Sequence, residues 1–389
     1  MPQPPTQPGI YVEEVPSLVS RVIAGVETSV TAFVGHLSQG VTDQPVKINS
    51  FADFSREFGG LDRNSPLSYA VHHFFLNGGG RALVVRVGSD GSTPIRDELM
   101  GTTPSTGMNA LQDAGDFNLL CIPETFDLPD AEAAAVAEAA IAFCESRRAF
   151  YLVDPPKART VSDIVSWVDG LARSQYAAIY FPALQIPDPL DNRVTLSIAP
   201  SGSVAGVYAR TDGNRGVWKA PAGLDASLNG IAGLAILMSD AENAAINSQR
   251  INALRRFPVN GHVVWGARTL AGADSQGSEY KYVPVRRLAS YIAESIHRGT
   301  QWTVFEPNDE STWSKVRLDV GNFMQGVFRD GALQGNSPND AYFVRCGPDT
   351  TTQADMANGI MAIEVGFAPT KPREFLVVRI QQRVGDITF

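Results

Sequence analysis

Residues with chemically reactive side chains are few in this chain and stand far apart. Asp154 follows Phe150 to Val153, an apolar run that predicts a buried strand, and ligands of parallel sheets bind where strands end. A Ser-His-Asp protease would need a serine at a helix start with a histidine in reach. Ser201 and Ser203 lie in Pro-Ser-Gly-Ser-Val-Ala-Gly, which we interpret as a flexible turn with no base nearby in sequence. We therefore predict no catalytic residue and no enzyme activity. The alternative is an α/β enzyme or ligand-binding protein with a pocket near Asp154.

Motifs that hold metals and phosphates are missing as well. The glycines of Asn77-Gly78-Gly79-Gly80 are not followed by the Lys-Ser or Lys-Thr of a phosphate loop, so they predict a helix end. His72 and His73 are adjacent and would point about 100° apart on a helix, so they cannot chelate one ion together. The three cysteines show no Cys-x-x-Cys spacing, which favours reduced thiols. We expect no metal site and no cofactor.

The length and charge of the chain limit the number of domains and the classes of function that remain. A chain of 389 residues predicts two or three domains. The net charge of -9 argues against a general nucleic-acid binder. Residues 97–170 hold thirteen acidic and four basic residues, whereas residues 250–298 hold eight basic and three acidic ones. Such asymmetry indicates two surfaces that meet different neighbours. The alternative is two ordinary solvated faces.

No stretch predicts export or membrane insertion. The start, Met-Pro-Gln-Pro-Pro-Thr-Gln-Pro-Gly, lacks the charged and apolar regions of a secretory signal. The longest nearly apolar run, Ile231 to Met238, is too short to span a bilayer. We expect the protein to be made in the cytoplasm and to leave the cell only by lysis or within a larger particle.

Strands and helices alternate through the middle of the chain. The apolar patterns predict strands at 117–122, 150–153 and 176–181, with helices between them. Strand–helix alternation at this spacing predicts right-handed crossovers and a mostly parallel sheet. A Ser-x-x-Glu capping box at Ser239 starts a further helix, which we expect to end at Arg255-Arg256-Phe257-Pro258, before a strand at 262–265.

After a loop-like stretch at 271–279 the pattern becomes α+β. Apolar residues at helical spacing predict an amphipathic helix over 284–298, and Asn308 caps a second helix. Short apolar runs predict strands at 302–305, 342–346 and 360–367. The predicted fold class is therefore α/β plus α+β. Its predicted parts are an extended arm (1–20), an α/β segment packing with the core (21–92), a mostly parallel α/β domain (93–270), a smaller α+β domain (271–373), and a terminal strand and arm (374–389).

The start of the chain predicts a strand without a nearby hairpin partner, which would form either the edge of its own domain or part of another subunit's sheet. The end of the chain predicts a long edge strand. A proline-rich leader precedes the first strand, and the last one, over 374–384, is longer than the mean strand. An uncovered edge of this length invites pairing with another chain. We predict that the strands exchanged between subunits comprise Ile10, Tyr11, Val12, Glu13 and Val15 at the start and Phe375, Val377, Val378, Arg379, Ile380 and Val384 at the end.

Three motifs together resemble a known family. They are Gly-Val-Trp-Lys-Ala-Pro-Ala-Gly at 216–223, Ile251-Asn252-x-Leu254-Arg255, and Val264-Trp265-Gly266-Ala267-Arg268-Thr269-Leu270. The opening Pro-Gly-Ile-Tyr-Val-Glu-Glu and the Ala-Pro-Thr-Lys-Pro-Arg-Glu-Phe before the last strand agree with them. The chain resembles the contractile tail sheath proteins of phages and phage-tail-like particles.

The resemblance implies a structural protein. It implies a subtilisin-like fold for residues 93–270, hexameric rings stacked around an inner tube, and strand exchange between subunits through both arms. The implied partners are further copies of the chain, the inner tube protein, and baseplate and tail terminator proteins, with no nucleic acid and no direct insertion into a membrane. The implied location is a bacterial cytoplasm and then a phage tail or an extracellular tail-like particle; the resemblance leaves open which kind.

A tube-facing surface is expected on the helix over 284–298. Lys281, Arg286, Arg287 and Arg298 are predicted to form a basic face that docks on an acidic tube. The alternative is an exposed basic helix without a partner.

Overall fold

A computed structural model of the chain describes residues 21–88, 96–157, 159–275, 277–370 and 376–383. Within them fourteen strands form, namely β1 (Thr31–His36), β2 (Val46–Ile48), β3 (Ala82–Val87), β4 (Leu119–Cys121), β5 (Phe150–Val153), β6 (Ala177–Phe181), β7 (Leu184–Asp188), β8 (Asp191–Ile198), β9 (Gly233–Leu234), β10 (Ile251–Phe257), β11 (Gly261–Val264), β12 (Tyr342–Cys346), β13 (Ile360–Phe367) and β14 (Leu376–Arg383).

The same residues form eleven α-helices and three single-turn 3-10 helices. The α-helices are α1 (Phe51–Phe58), α2 (Pro66–Leu76), α3 (Arg96–Met100), α4 (Asp130–Arg147), α5 (Val161–Asp169), α6 (Ser201–Arg215), α7 (Asp240–Ser248), α8 (Val283–Gly299), α9 (Glu310–Arg329), α10 (Pro338–Ala341) and α11 (Gln353–Ala357). The 3-10 turns are Gly107–Leu111, Pro123–Asp127 and Gln301–Phe305. Of the helices in these ranges, none combines the length and apolarity needed to cross a membrane.

The larger domain is built on an eight-stranded sheet. Its strand order is β11-β10-β6-β5-β4-β1-β3-β2, with parallel pairing from β10 to β3 and antiparallel edges. Helices α4, α5 and α7 cover one face of the sheet, and α2 and α6 cover the other. The strands are buried on both faces and read as continuous apolar runs for that reason. The predicted mostly parallel sheet is confirmed.

The helix predicted to run from Ser239 to Arg256 is wrong in its second half. The capping box of Ser239 and Glu242 forms as expected, but α7 ends at Ser248. Residues 251–257 form β10 instead, which pairs with β6 on one side and β11 on the other. Burial decides this, because Ile251 to Leu254 fill the place between β6 and β11 in the sheet, which a helix could not occupy.

The flexible turn predicted around Ser201 and Ser203 is also wrong, because both residues start helix α6. This helix packs tightly against α2 through two glycines one turn apart. A Cβ on Gly202 would lie 2.2 Å from the carbonyl oxygen of Ala70, and one on Gly206 would lie 2.5 Å from that of Phe74. The glycines of this motif therefore allow two helix backbones to approach, and they do not mark a turn.

The smaller domain places α8 and α9 on an antiparallel sheet of order β12-β13-β14. The apolar face predicted for α8 is confirmed, with Val285, Leu288, Ile292 and Ile296 buried. The strand predicted at 302–305 is wrong, since these residues belong to the 3-10 turn Gln301–Phe305, where Phe305 is exposed. The α+β class of this domain is confirmed, while the proposed domain boundaries stay predictions.

The first described segment of the chain connects the two domains. The amide of Arg21 donates to Asp319 of α9 (2.8 Å), and the amide of Val26 donates to Ser295 of α8 (3.1 Å). Ile23 belongs to the core of the smaller domain. Thr28 then donates to Asp212 of α6 (2.6 Å), three residues before the chain pairs into the large sheet. Residues 21–28 therefore contact both domains.

Candidate functional site

The strand ends of the large sheet hold a buried carboxyl at the place where ligands of such sheets bind. Asp154 follows β5, is 1% exposed, and accepts the amide hydrogen of Ser201 at the start of α6 (2.9 Å). Burial raises the pKa of Asp154 from its ordinary 3.8 to about 7, against the opposing effect of its contact with Ser201. A cavity of about 300 Å³ lies nearby, but its lining is mostly apolar and does not include Asp154. The carboxyl anchors a helix start and does not face this cavity.

These strand ends do not form a catalytic triad. Both imidazole nitrogens of His36 are buried without a hydrogen-bond partner, and the hydroxyls of Ser201 and Ser203 are in the same situation. Within the described residues no hydrogen bond joins a histidine side chain to Ser201, Ser203 or Asp154. In that part of the chain, no cluster of three or more His, Cys, Asp or Glu side chains is placed to hold a metal ion.

A second buried carboxyl, Glu124, was not singled out by the sequence reasoning. It is 4% exposed, accepts the amide hydrogen of His36 at the end of β1 (2.9 Å), and lies directly on the backbone of Gly35. A Cβ at Gly35 would come within 2.1 Å of its carboxylate oxygens. Burial raises the pKa of Glu124 from 4.5 to about 8. The sequence signal that could have indicated this contact is Gly35 near the end of β1 together with an acidic residue, Glu124, just after the neighbouring strand β4.

These two carboxyls make the stability of the domain depend on pH. Their pKa values are raised in the folded state, so between about pH 4 and pH 8 the folded chain holds protons that the unfolded chain has released. The contribution of these two groups to stability is therefore fully present below about pH 4 and is lost as the pH rises towards 8. We expect the free energy of unfolding to fall by on the order of 1 kcal/mol per pH unit for each group. Denaturant titrations at pH 5, 6, 7 and 8 measure this slope.

Neutral isosteres supply the control for this pH dependence. Glu124→Gln and Asp154→Asn each remove one titrating group while keeping an oxygen that can accept the backbone hydrogen bond. Each variant should show a shallower decline of stability between pH 5 and pH 8 than the parent chain. Parallel pH profiles for the parent and both variants would show that neither carboxyl is protonated in the folded state.

The basic face predicted on α8 is not a continuous exposed surface, because Arg286 and Arg287 are buried. Docking on a tube stays a prediction. Arg287 is 5% exposed and pairs with Asp212 of α6 through two hydrogen bonds of 2.9 and 2.5 Å. It also donates to the carbonyl of Thr28 (2.8 Å) and lies 4.8 Å from the ring centre of Tyr208. This arginine is therefore enclosed between the two domains.

The other three predicted cations also bind carboxylates or aromatic rings of this chain. Arg286, 6% exposed, lies between the rings of Tyr176 and Tyr280, at 4.7 and 4.2 Å. Lys281 pairs with Asp274 (2.5 Å). Arg298 pairs with Asp116 of the larger domain and with Glu294 of its own helix (2.8 Å). Arg287 and Arg298 of α8 thus bind carboxylates of the larger domain, a contact that the sequence reasoning assigned to another protein.

The predicted exchange strands are only partly within the described residues. Ile10, Tyr11, Val12, Glu13 and Val15 lie outside them, as do Phe375 and Val384. Val377, Val378, Arg379 and Ile380 lie in β14, which pairs along its whole length with β13 of the same chain. Strand β14 is the edge of its sheet in the described structure. Exchange between subunits stays a prediction.

The described residues combine a mostly parallel α/β domain with a smaller α+β domain, and no catalytic site is assembled among them. Family models for the phage tail sheath protein central domain and C-terminal domain match residues 103–270 and 275–383. The chain belongs to the contractile tail sheath family, and the predicted resemblance is confirmed.

Solved sheath structures are similar over nearly the whole chain. The helical sheath of the anti-feeding prophage in the contracted state is 31% identical, with a TM-score of 0.74 over 97% of this chain and 99% of that one. The sheath complex of the extracellular contractile injection system PVC, also contracted, is 29% identical, with a TM-score of 0.75 over 98% of this chain and 99% of that one.

Curated relatives share shorter regions. The tail sheath protein of Enterobacteria phage T4 is 28% identical over 185 residues, which is 45% of this chain and 28% of that protein. The putative prophage major tail sheath protein of Pseudomonas aeruginosa (strain UCBPP-PA14) is 26% identical over 274 residues, 69% of this chain and 67% of that protein. The matched part of this chain thus spans about a quarter of the T4 protein's length.

Proposed function

We propose that copies of this chain polymerise as stacked hexameric rings around an inner tube and contract to drive the tube through a target cell envelope. The observation that carries this proposal is the similarity, over 97% of this chain, to the subunit of a contracted helical sheath. The role is structural and not enzymatic. Baseplate and tail terminator proteins would hold the two ends of the sheath, and the particle would leave the bacterium by lysis.

The larger domain is proposed to have a subtilisin-like arrangement and to face outwards. Its surface around α4 and α5 belongs to the acidic stretch 97–170, which suits a solvated exterior. The smaller domain is proposed to face the tube. Of the predicted docking cations only Lys281 and Arg298 keep a partly exposed side chain, 22% and 38%. Any contact of the predicted cations with the tube would rest on these two.

Removing residues 1–16 tests strand exchange. We expect the truncated chain to stay folded, because the described contacts with the smaller domain begin at Arg21, and to lose the ability to polymerise. Circular dichroism reports folding, and sedimentation with negative-stain imaging reports tube formation in the presence of the tube protein.

A shorter truncation separates the predicted strand from the proline-rich leader. Deleting residues 2–8 keeps the strand from Gly9 to Val15 and should leave polymerisation intact. If the chain without residues 1–16 still forms normal tubes, strand exchange through this arm is refuted. A full-length chain that stays monomeric beside its tube protein would refute the sheath function itself.

A further inference from the structure

The hairpin of β7 and β8 is held rigidly against the larger domain. Its anchor is Asp188 at the end of β7, whose side chain is fully buried. The carboxylate accepts hydrogen bonds from Nε of Arg63 (2.7 Å), the hydroxyl of Tyr69 (3.0 Å) and the amide of Leu190 (2.9 Å). Because Tyr69 lies on α2, the hairpin is tied to the core of the domain. The outer strand β8 is therefore presented in a defined position.

The pairing pattern shows which backbone groups of β8 face outwards. The carbonyl of Gln185 accepts from Ala232 and that of Ala183 from Ala235, so these odd-numbered residues of the β7 segment point towards β9. The backbone N–H and C=O groups of Leu184 and Ile186 therefore point towards β8, where these residues lie opposite Ile198 and Leu196. Since successive residues of a strand point to opposite sides, Thr195 and Ser197 direct their N–H and C=O groups away from β7.

The part of this outer edge at residues 194–198 lacks the charges and prolines that protect many exposed strands. Residues 194–198 read Val-Thr-Leu-Ser-Ile, without a proline or a charge, and the guanidinium of Arg193 is paired with Asp191 (3.0 Å). Val194 is 37% exposed and Leu190, in the turn, 54%. Within the described residues the only strand paired with β8 is β7. An edge of this kind is a template for another chain.

A different edge of the same chain is covered. Strand β11 ends the large sheet, and residues 223–228 run along its outer side. There Leu228 donates to His262 (2.8 Å) and Val264 donates to Ala226 (3.0 Å). The chain thus covers the outer side of β11, while the longer strand β8 has no such cover in the described ranges.

We propose that the outer edge of β8, at Thr195 and Ser197, pairs with an extended segment of another copy of this chain. The proposal rests on the proposed sheath function and adds a contact of the larger domain to the exchange of the terminal arms. A second copy is the expected occupant because a chain that matches over nearly its whole length comes from the helical sheath of the anti-feeding prophage, and in a helical sheath the neighbours of a subunit are further copies. In a helical array the contact is heterologous, so the pairing segment comes from a different surface of the neighbour.

Proline substitution tests this pairing at the backbone. Thr195→Pro removes an outward N–H and leaves the bonds between β7 and β8 in place, which a free edge tolerates. Thr195→Ala is the matched control, since it changes the side chain and keeps the N–H. We expect the alanine variant to assemble like the parent, and the proline variant to require roughly tenfold more protein for half-maximal tube formation at an unchanged melting temperature.

Three outcomes decide the matter. If the proline and alanine variants form tubes at the same protein concentration, the proposed pairing of β8 is wrong. Tube formation by the parent chain would still support the sheath function in that case. A parent chain that forms no tubes overturns both. If the proline variant melts early, hydrogen exchange on the parent decides instead: the amides of Thr195 and Ser197 should exchange more slowly in tubes than in monomers, and equal rates would overturn the proposal.

Discussion

Adding one methyl group at Gly202 is expected to lower the free energy of unfolding by about 2–4 kcal/mol, because the new Cβ meets backbone and not a movable side chain. The position it would occupy is 2.2 Å from the carbonyl oxygen of Ala70 and 2.7 Å from the Cα of the same residue. Helices α2 and α6 would have to separate, and the core between them, which includes Phe74, Val204 and Tyr208, would lose its packing. Urea denaturation of Gly202→Ala followed by circular dichroism measures the loss.

Helix α6 supplies its own control for this substitution. Gly213 lies in the same helix, and a Cβ there would have nothing within 4 Å. Gly213→Ala should therefore raise stability by about 0.5–1 kcal/mol through helix propensity alone. Equal effects of the two substitutions would mean that the helices are not in close contact at Gly202.

The substitution Arg287→Met is expected to destabilise the chain by about 3–5 kcal/mol, since it leaves the buried carboxylate of Asp212 without its cation. Both side chains of this pair are 5% exposed. The loss falls on the contact between the two domains, because Arg287 lies on α8 of the smaller domain and Asp212 on α6 of the larger one. Calorimetry should then show a lower melting temperature, or two transitions in place of one.

Two further variants separate the buried charge from the loss of side-chain packing. Arg287→Met combined with Asp212→Leu removes both charges and should recover part of the lost stability. Arg56→Met breaks an exposed ion pair with Asp53 on α1 and should change the melting temperature little. A double variant as unstable as Arg287→Met would show that packing, and not the unpaired carboxylate, accounts for the loss.

Local sequence patterns predicted many of the helices and strands, because these elements are determined by residues that lie close together in the sequence. The buried strands, the cap of α7 and the apolar face of α8 all depend on residues that lie close together in sequence. The predictions that were wrong concern elements that depend on contacts between residues far apart in the sequence. Ile251 to Phe257 is a strand because β6 and β11 lie on either side of it, and Gly202 lies in a helix that packs on α2 about 130 residues earlier in the sequence.

The candidate site was predicted less well, for a related reason. A basic helix face is visible in the sequence, but its partner is not. Asp212 and Asp116, which bind Arg287 and Arg298, are separated from them by 75 and 182 positions. The acidic character of residues 97–170 was noted, yet composition does not say whether such a surface meets another protein or a different part of the same chain. The partners of these charged residues are determined by the tertiary fold, which brings together residues that are distant in the sequence.

The hydrogen bond from Arg21 to Asp319 joins residues 298 positions apart, and this spacing has a consequence for biosynthesis. A ribosome delivers the amino terminus first, so residues 21–26 emerge long before the helices that will hold them. The larger sheet can form while translation continues. Ile23 can pack into the core of the smaller domain only after α8 and α9 have been made. Residues 21–26 are thus among the last parts of the described chain to be fixed, and they are held only once the polypeptide is nearly finished.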